Sequence, residues 1–345
     1  MAYGKKYYTS FKSYNAWDYH MEIWEKDFVG SSSEIILGAG GPIISYDTDS
    51  ENRDNTILAS TLSIPFIVEN AAQETFIDNL RDLYEEQDIY VHLYQSTSAN
   101  EDPLWSGFLL MDLGSKEDVM YPFEVKLTAT DGISLLKDRD FIVDGATRPY
   151  SSTDVYWGPA NFTYWIARIL EKVGAGSTDN GAYSNAEFST SVNWYNQEHD
   201  GDGQGDDPLR LTQGKMSWTH SVDDNGDYLV LNCYDVLKEI MKVWHCRITY
   251  WNHSFFIVQI PEYNTVETGT NLNPVNVNSR IYTLTGAASS NQAYLGNKYN
   301  TRYFLLFGQN IQGGIQKLVG TKYQFYPRLK STSATYITGG GTNYY

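Results

Sequence analysis

Apolar and polar residues alternate along much of the first third of the chain. Leu62, Ile64, Phe66 and Val68 stand at every second position, the period of a half-buried strand, and Pro65 within that run predicts an edge or a bulge. The period then changes. NAAQETFIDNLRDLYEE places Phe76, Ile77, Leu80 and Tyr84 on one helical face, with Asn70 as N-cap and Gln73 as its capping-box partner. Ile89, Val91 and Leu93 alternate again, so this part reads strand, helix, strand. LWSGFLLMDLG follows, then YPFEVKLTATDGISLLKD, where Phe123, Val125, Leu127 and Ala129 alternate until Asp131-Gly132 stops the strand. Upstream, residues 5 to 29 are dense in aromatics and predict one or two strands, and Gly38, Gly40 and Gly41 separate two apolar runs.

The turn-rich stretch DGATRPYSSTDVYWGP reads as a boundary. It divides the chain into residues 1–145, an intermediate α+β part at 146–232, and a helix-hairpin and β part at 233–345. Asn161 to Val173 predicts a helix with Trp165, Ile166, Ile169, Leu170 and Val173 on one side, stopped by Gly174. Residues 174 to 190 read as a loop, Val192-Trp194 as a short strand, and EHDGDGQGDDP as a solvated acidic loop. Asn232 then caps a helix in which Val236, Ile240 and Trp244 form one row and Leu237 with Met241 the next. Cys246, Ile248 and Tyr250 alternate with Arg247, Thr249 and Trp251, and Asn252-His253-Ser254 turns the chain into Phe255–Val258. Beyond Pro261, RIYTLTG, NTRYFLLFGQN and KLVGTKYQFYP are candidate strands, and STSATYITGGGTNYY reads as a linker or an assembly arm. The fold class expected is mainly β with a few short helices, a β-rich α+β protein.

Composition adds contact surface to this picture. Tyr 28, Phe 14 and Trp 9 make up 15% of the 345 residues, and Tyr and Trp suit strands and wet interfaces. The formal net charge of −17 argues against ordinary nucleic-acid binding, which needs clustered Lys and Arg. No apolar run approaches the ~18 residues of a membrane span, and MAYGKKYYTSFKSYNAW lacks the apolar core of a signal peptide, so a cytoplasmic origin without a membrane anchor is expected. Two cysteines make no disulfide framework and fit a reducing compartment.

Candidate chemistry is sparse. Cys233 and Cys246 sit about 13 positions, roughly 20 Å of helix rise, apart and cannot share a metal directly, while His245 and Cys246 point to opposite faces of a strand. A helix N1 position favours a thiolate at Cys233, yet no histidine is placed by sequence to serve it. In DGDGQG, Asp200 and Asp202 occupy the first and third positions of a calcium loop. The twelfth is Leu211 where a bidentate Glu is needed, so a solvated loop is the better reading. The glycine trio precedes Asp47, Asp49, Glu51 and Asp54 and no helix, which is wrong for a phosphate cradle. No G-x-S-x-G elbow, Walker loop or H-E-x-x-H motif occurs, and acidic pairs are too abundant to mark a glycosidase. No cofactor and no enzymatic activity are expected.

Several stretches, in order, resemble the baseplate hub or tail-tip structural proteins of tailed bacteriophages. They are the opening MAYGKKYY, GGPIISYDTDSENRDNTILASTLSIPF, the turn Trp105-Ser-Gly107-Phe108 followed by Asp112, and YPFEVKLTATDGISLLKD with Asp131-Gly132. Val192-Asn-Trp194-Tyr195, Asp207-Pro-Leu209 and the segment from Cys233 through Trp244 to Gln259 follow. The resemblance covers roughly residues 1 to 263. It implies tail-tube-like β-barrel domains, two per subunit, with a smaller domain between them, and a homo-oligomer, a trimer, imitating the six-fold ring of the tube. The implied setting is the virion, assembled in the host cytoplasm, with the tube or distal tail ring, the central fibre or spike and the tape measure as partners. DNA would be met only in transit, gliding through an acidic lumen. The structural signature expected is Trp105, Gly107, Asp131, Gly132, Trp194 and Trp244. The alternatives are a hexameric distal tail ring, and a receptor-binding or glycan-degrading tail protein.

Overall fold

The computed structural model describes residues 2–12, 17–46, 55–85, 87–95, 102–111, 120–174, 181–183, 186–192, 207–259, 280–283 and 334–336. The chain is mainly β, with four α-helices among the described residues. Its first part runs β1 (Tyr3–Lys12), β2 (Asp18–Lys26), β3 (Ser33–Glu34), β4 (Ile43–Tyr46), β5 (Ile57–Leu58), β6 (Ser60–Val68), α1 (Ala71–Asp82), β7 (Ile89–Tyr94), β8 (Trp105–Leu109) and β9 (Phe123–Thr130). All these strands except β5 form one eight-stranded sheet in the order β3-β1-β2-β7-β8-β9-β6-β4.

Residues 33–38 close this sheet into a barrel. β3 runs parallel to β1, and Ile35 N donates to Tyr8 O at 2.9 Å. The chain then crosses to β6, where Ile67 N donates to Ile36 O at 3.1 Å and Gly38 N to Pro65 O at 2.8 Å. The Pro65 carbonyl, and with it the position of the missing N–H, faces this short staple and not β9. This corrects the expected edge or bulge: β6 lies between β9 and β4 with an unbroken ladder to β9, and Pro65 is tolerated there because the staple bonds only its carbonyl. Across the seam, α1 sets Phe76 against Tyr7 of β1 and Phe66 of β6, with ring centroids 5.1 and 6.4 Å away.

Register sends Met21, Ile23, Val91, Leu93, Trp105, Leu127, Ala129, Leu62, Ile64 and Phe66 to the barrel interior, all buried. Asn70 Oδ1 caps α1, accepting from Ala72 N and Gln73 N at 3.1 Å. Gln73 returns the favour one residue earlier than expected. Its Oε1 accepts from Glu69 N at 2.6 Å, not from the N-cap amide. Tyr84 lies past the helix end, and its hydroxyl donates to Glu25 at 2.8 Å.

The rest of the described chain runs β10 (Pro159–Asn161), α2 (Phe162–Glu171), β11 (Glu187–Ser191), α3 (Pro208–Leu211), β12 (Thr212–Lys215), β13 (His220–Val222), β14 (Tyr228–Val230), α4 (Cys233–Val243), β15 (Cys246–Trp251), β16 (Ser254–Gln259), β17 (Arg280–Thr283) and β18 (Ala334–Tyr336). A five-stranded sheet has the order β17-β11-β16-β15-β5, so β5, just upstream of β6, ties the first part of the chain to the last. β11 corrects two expectations. It falls within the stretch read as a loop, and it ends at Ser191, before the predicted strand; Trp194 lies outside the described residues. β11 lies inside the sheet, between β16 and β17, and Phe188, Ser189 and Thr190 are all buried, so both of its faces are covered and no alternation marks it. β18 corrects another, for part of the tail read as a linker or arm pairs antiparallel with β12. Main-chain pairing needs no hydrophobic pattern. The predicted strands at 300–310 and 317–327 lie outside the described residues.

The helix and hairpin over residues 233–259 form as their periods predict. Asn232 Oδ1 accepts from Asp235 N at 2.7 Å, and Val236, Leu237, Ile240 and Met241 are buried. Trp244 follows as the C-cap and meets Phe162 of α2 edge-on, with centroids 5.8 Å apart. Asn252 and His253 take the left-handed conformation of a two-residue hairpin turn, φ +48° and +57°. This hairpin packs on the outside of the barrel, where Asn252 N donates to Leu104 O at 2.8 Å. That contact explains β7. The alternation predicts one buried face, but Tyr90, His92 and Tyr94 are buried as well, because the outer face of β7 and β8 is covered. Residues from all three sequence regions join one hydrophobic cluster. Among the described residues no helix is long and apolar enough to cross a membrane.

Candidate functional site

Four of the six expected signature residues converge at one end of the barrel interior. Asp131, just past β9, accepts from Ser60 N at 2.6 Å and Ser60 Oγ at 2.8 Å through Oδ2, and from Ile133 N at 3.1 Å through Oδ1. The Trp105 indole N–H donates to Ser60 Oγ at 2.9 Å. Gly107 and Gly132 make room for this arrangement. A Cβ on Gly107 would stand 2.2 Å from Thr130 O and 2.3 Å from the Trp105 ring. Gly132 has φ +77°, and its Cβ would stand 3.0 Å from Tyr183 Oη. Tyr183 in turn donates to the Asp131 main-chain oxygen and lies 3.2 Å from Ser106 O. It thereby joins the barrel to the second part of the chain.

Asp131, Ser60 and Trp105 are completely buried. Burial pushes the Asp131 carboxyl up to about 7, against the opposing pull of the Ser60 and Ile133 donors. Sealed from solvent, this acid can lock strands together but cannot exchange protons with a substrate.

A second polar centre lies on the outer face. Glu22, 1% exposed, accepts from Lys5 Nζ at 2.9 Å, His20 Nε2 at 3.1 Å, Trp24 Nε1 at 3.0 Å and Tyr94 Oη at 3.5 Å. The sequence reading missed it. The available signal was the alternation in Asp18–Lys26, which puts His20, Glu22 and Trp24 on the face opposite Met21 and Ile23. Next to it, His92 Nδ1 lies 2.8 Å from Ser106 Oγ, and burial, with His253 nearby, lowers its pKa to about 3.

The other candidates do not assemble. Cys233 Sγ lies 3.5 Å from Asp140 O, whereas Cys246 Sγ lies 3.3 Å from Trp244 O, and both thiols are buried and outside any disulfide. Whatever bias toward a thiolate the helix start gives Cys233 is outweighed by burial, which pushes that thiol up to about 12. Asp200 and Asp202 lie outside the described residues. Asp207, read as part of a solvated loop, is instead fully buried; it caps α3 at Leu209 N (2.9 Å) and accepts from Thr190 and from Tyr282 Oη (2.8 Å). Among the described residues no group of three His, Cys, Asp or Glu side chains is placed to hold a metal.

No family model, curated protein or solved structure matches this chain. The residues themselves carry the functional reading. What they form is a closed barrel locked at one end, with a second sheet fastened to its outside.

Proposed function

We propose that this chain is a structural subunit of a bacteriophage tail tip. As a trimeric baseplate hub it would join the tail tube to the distal fibre or spike and line the channel through which DNA leaves. The observation that carries this reading is the convergence of Trp105, Gly107, Asp131 and Gly132, the residues of the two resembling motifs, on one buried lock at the end of a closed barrel. A barrel suits a ring subunit because closure removes most strand edges and leaves side-chain faces for assembly. The net charge of −17 gives such a channel a surface that repels DNA. Electron microscopy of intact tails tests the proposal. The expected result is this chain at the tip in three-fold symmetry; a six-fold ring would make it the distal tail protein instead. Hydrolysis of host surface polysaccharide by the isolated chain would favour a glycan-degrading tail protein.

A further inference from the structure

We propose that Ser10 is an activated nucleophile, held in a Ser10–His20–Glu22 relay on the outer face of the barrel, that takes the acyl group of a small ester. Register makes these residues neighbours. Ser10 of β1 stands directly opposite His20 of β2, and Glu22, two residues along β2, projects from the same face. Ser10 Oγ lies 2.9 Å from His20 Nδ1, and His20 Nε2 lies 3.1 Å from Glu22 Oε1. An ionised carboxylate only accepts, so Nε2 carries the proton and Nδ1 is left bare toward the serine hydroxyl. Nucleophile, base and orienting acid therefore stand in the order that nucleophilic catalysis requires. Exposure is graded to match: Glu22 and His20 are buried, whereas Ser10 is exposed.

The main chain supplies a donor at the same place. Tyr8 O accepts from Ile35 N on the side of β1 away from β2. Residues two apart on a strand turn their amides to the same side, so Ser10 N–H faces that edge too. β3 pairs with β1 only at Tyr7 and Tyr8, and among the described residues no strand covers the edge at Ser10. This N–H is thus placed to bind a developing oxyanion beside the nucleophile.

In the reaction, Ser10 Oγ bonds to the ester carbonyl carbon while its proton moves to His20 Nδ1. The bond from that carbon to the alcohol oxygen breaks, and His20 returns the proton to the departing alkoxide. Water repeats the sequence on the acyl-serine and releases the carboxylic acid. Glu22 is a positioning residue. The other groups around the relay are Lys5 on β1, paired with Glu22, and Tyr8 on β1 and Tyr94 on β7, with ring centroids of both tyrosines 6.1 Å from that of His20.

This activity goes beyond the tail-tip reading and fails or stands apart from it. The test treats the full chain with a fluorophosphonate probe and maps the adduct by mass spectrometry, alongside turnover of p-nitrophenyl acetate. The expected adduct is on Ser10. It disappears in Ser10→Ala, its rate falls at least about tenfold in His20→Gln, and it persists in Ser45→Ala on the exposed β4 edge. Glu22→Gln should lower the labelling rate and Glu22→Asp should restore it in part, a recovery that a merely structural role would not give. Absence of an adduct on Ser10, or equal rates with and without His20, overturns the proposal. If His20→Gln does not fold, labelling of Ser10 no faster than that of the exposed Ser45 in the wild type overturns it equally.

Discussion

Ser60 gives both its main-chain N–H and its hydroxyl to the same Asp131 oxygen, at 2.6 and 2.8 Å. The first residue of β6 is thereby fastened to the chain just past β9, at the end of the barrel where Trp105 closes over both. Ser60→Ala would leave the Trp105 indole N–H and one Asp131 acceptor short of a partner in a dry site. A loss of about 1–3 kcal/mol in urea unfolding is expected, and an unchanged midpoint would contradict the lock.

Asp131 should make stability fall as pH rises. Its folded pKa of about 7 lies above the ordinary 3.8, so the native state holds the proton more tightly than the unfolded chain. The contribution is complete below pH 3.8 and is lost as pH climbs to about 7, on the order of 4 kcal/mol at most. Asp131→Asn should flatten that part of the stability curve, read as denaturant midpoints across pH.

His92 should act in the opposite direction. With a folded pKa of about 3 against an ordinary 6.5, it stays neutral in the native state while the unfolded chain takes up a proton. Stability from this source is complete above pH 6.5 and declines as pH falls toward 3. His92→Gln, which keeps a partner for Ser106, should blunt acid unfolding; an identical acid limb would show that the ring is not sealed.

Gly107→Ala should be poorly tolerated, because its Cβ would strike main-chain oxygen and an indole ring that cannot withdraw. A loss of about 1–3 kcal/mol or more is expected. Gly158→Ala is the matched control. Nothing lies within 4 Å of its Cβ, and thermal melting should be unchanged or slightly raised.

Trp244→Ala removes a buried ring, 1% exposed, from between α4 and α2. Differential scanning calorimetry should register a loss of about 3–5 kcal/mol. A melting temperature equal to that of the wild type would mean that Phe162 does not depend on it.

Local periods account for what was legible in advance. The caps Asn70 and Asn232, the alternation of β6 and β9 and the apolar face of α2 are each written within a dozen residues, since helix and strand repeats are short-range. Where a strand is covered on both sides the signal fails: β11 shows no alternation, and in β7 the alternation marks only one of two buried faces. Burial of Asp207 was equally hidden, because its partners Thr190 and Tyr282 come from distant strands and its acidic neighbours suggest solvent.

The amino-acid sequence by itself determined the elements that carry a clear period, the turn at Asn252-His253, and the glycines and aromatics that a tight lock would need. Only the tertiary structure decided which of them meet. Ser60 finds Asp131 across 71 positions, Ser10 finds His20 through strand register, and residues 33–38 close the barrel by main-chain bonds that no side chain announces. Those choices depend on ladders between remote segments, whose hydrogen-bonding groups are the same at every residue except proline and so leave almost no mark in the sequence.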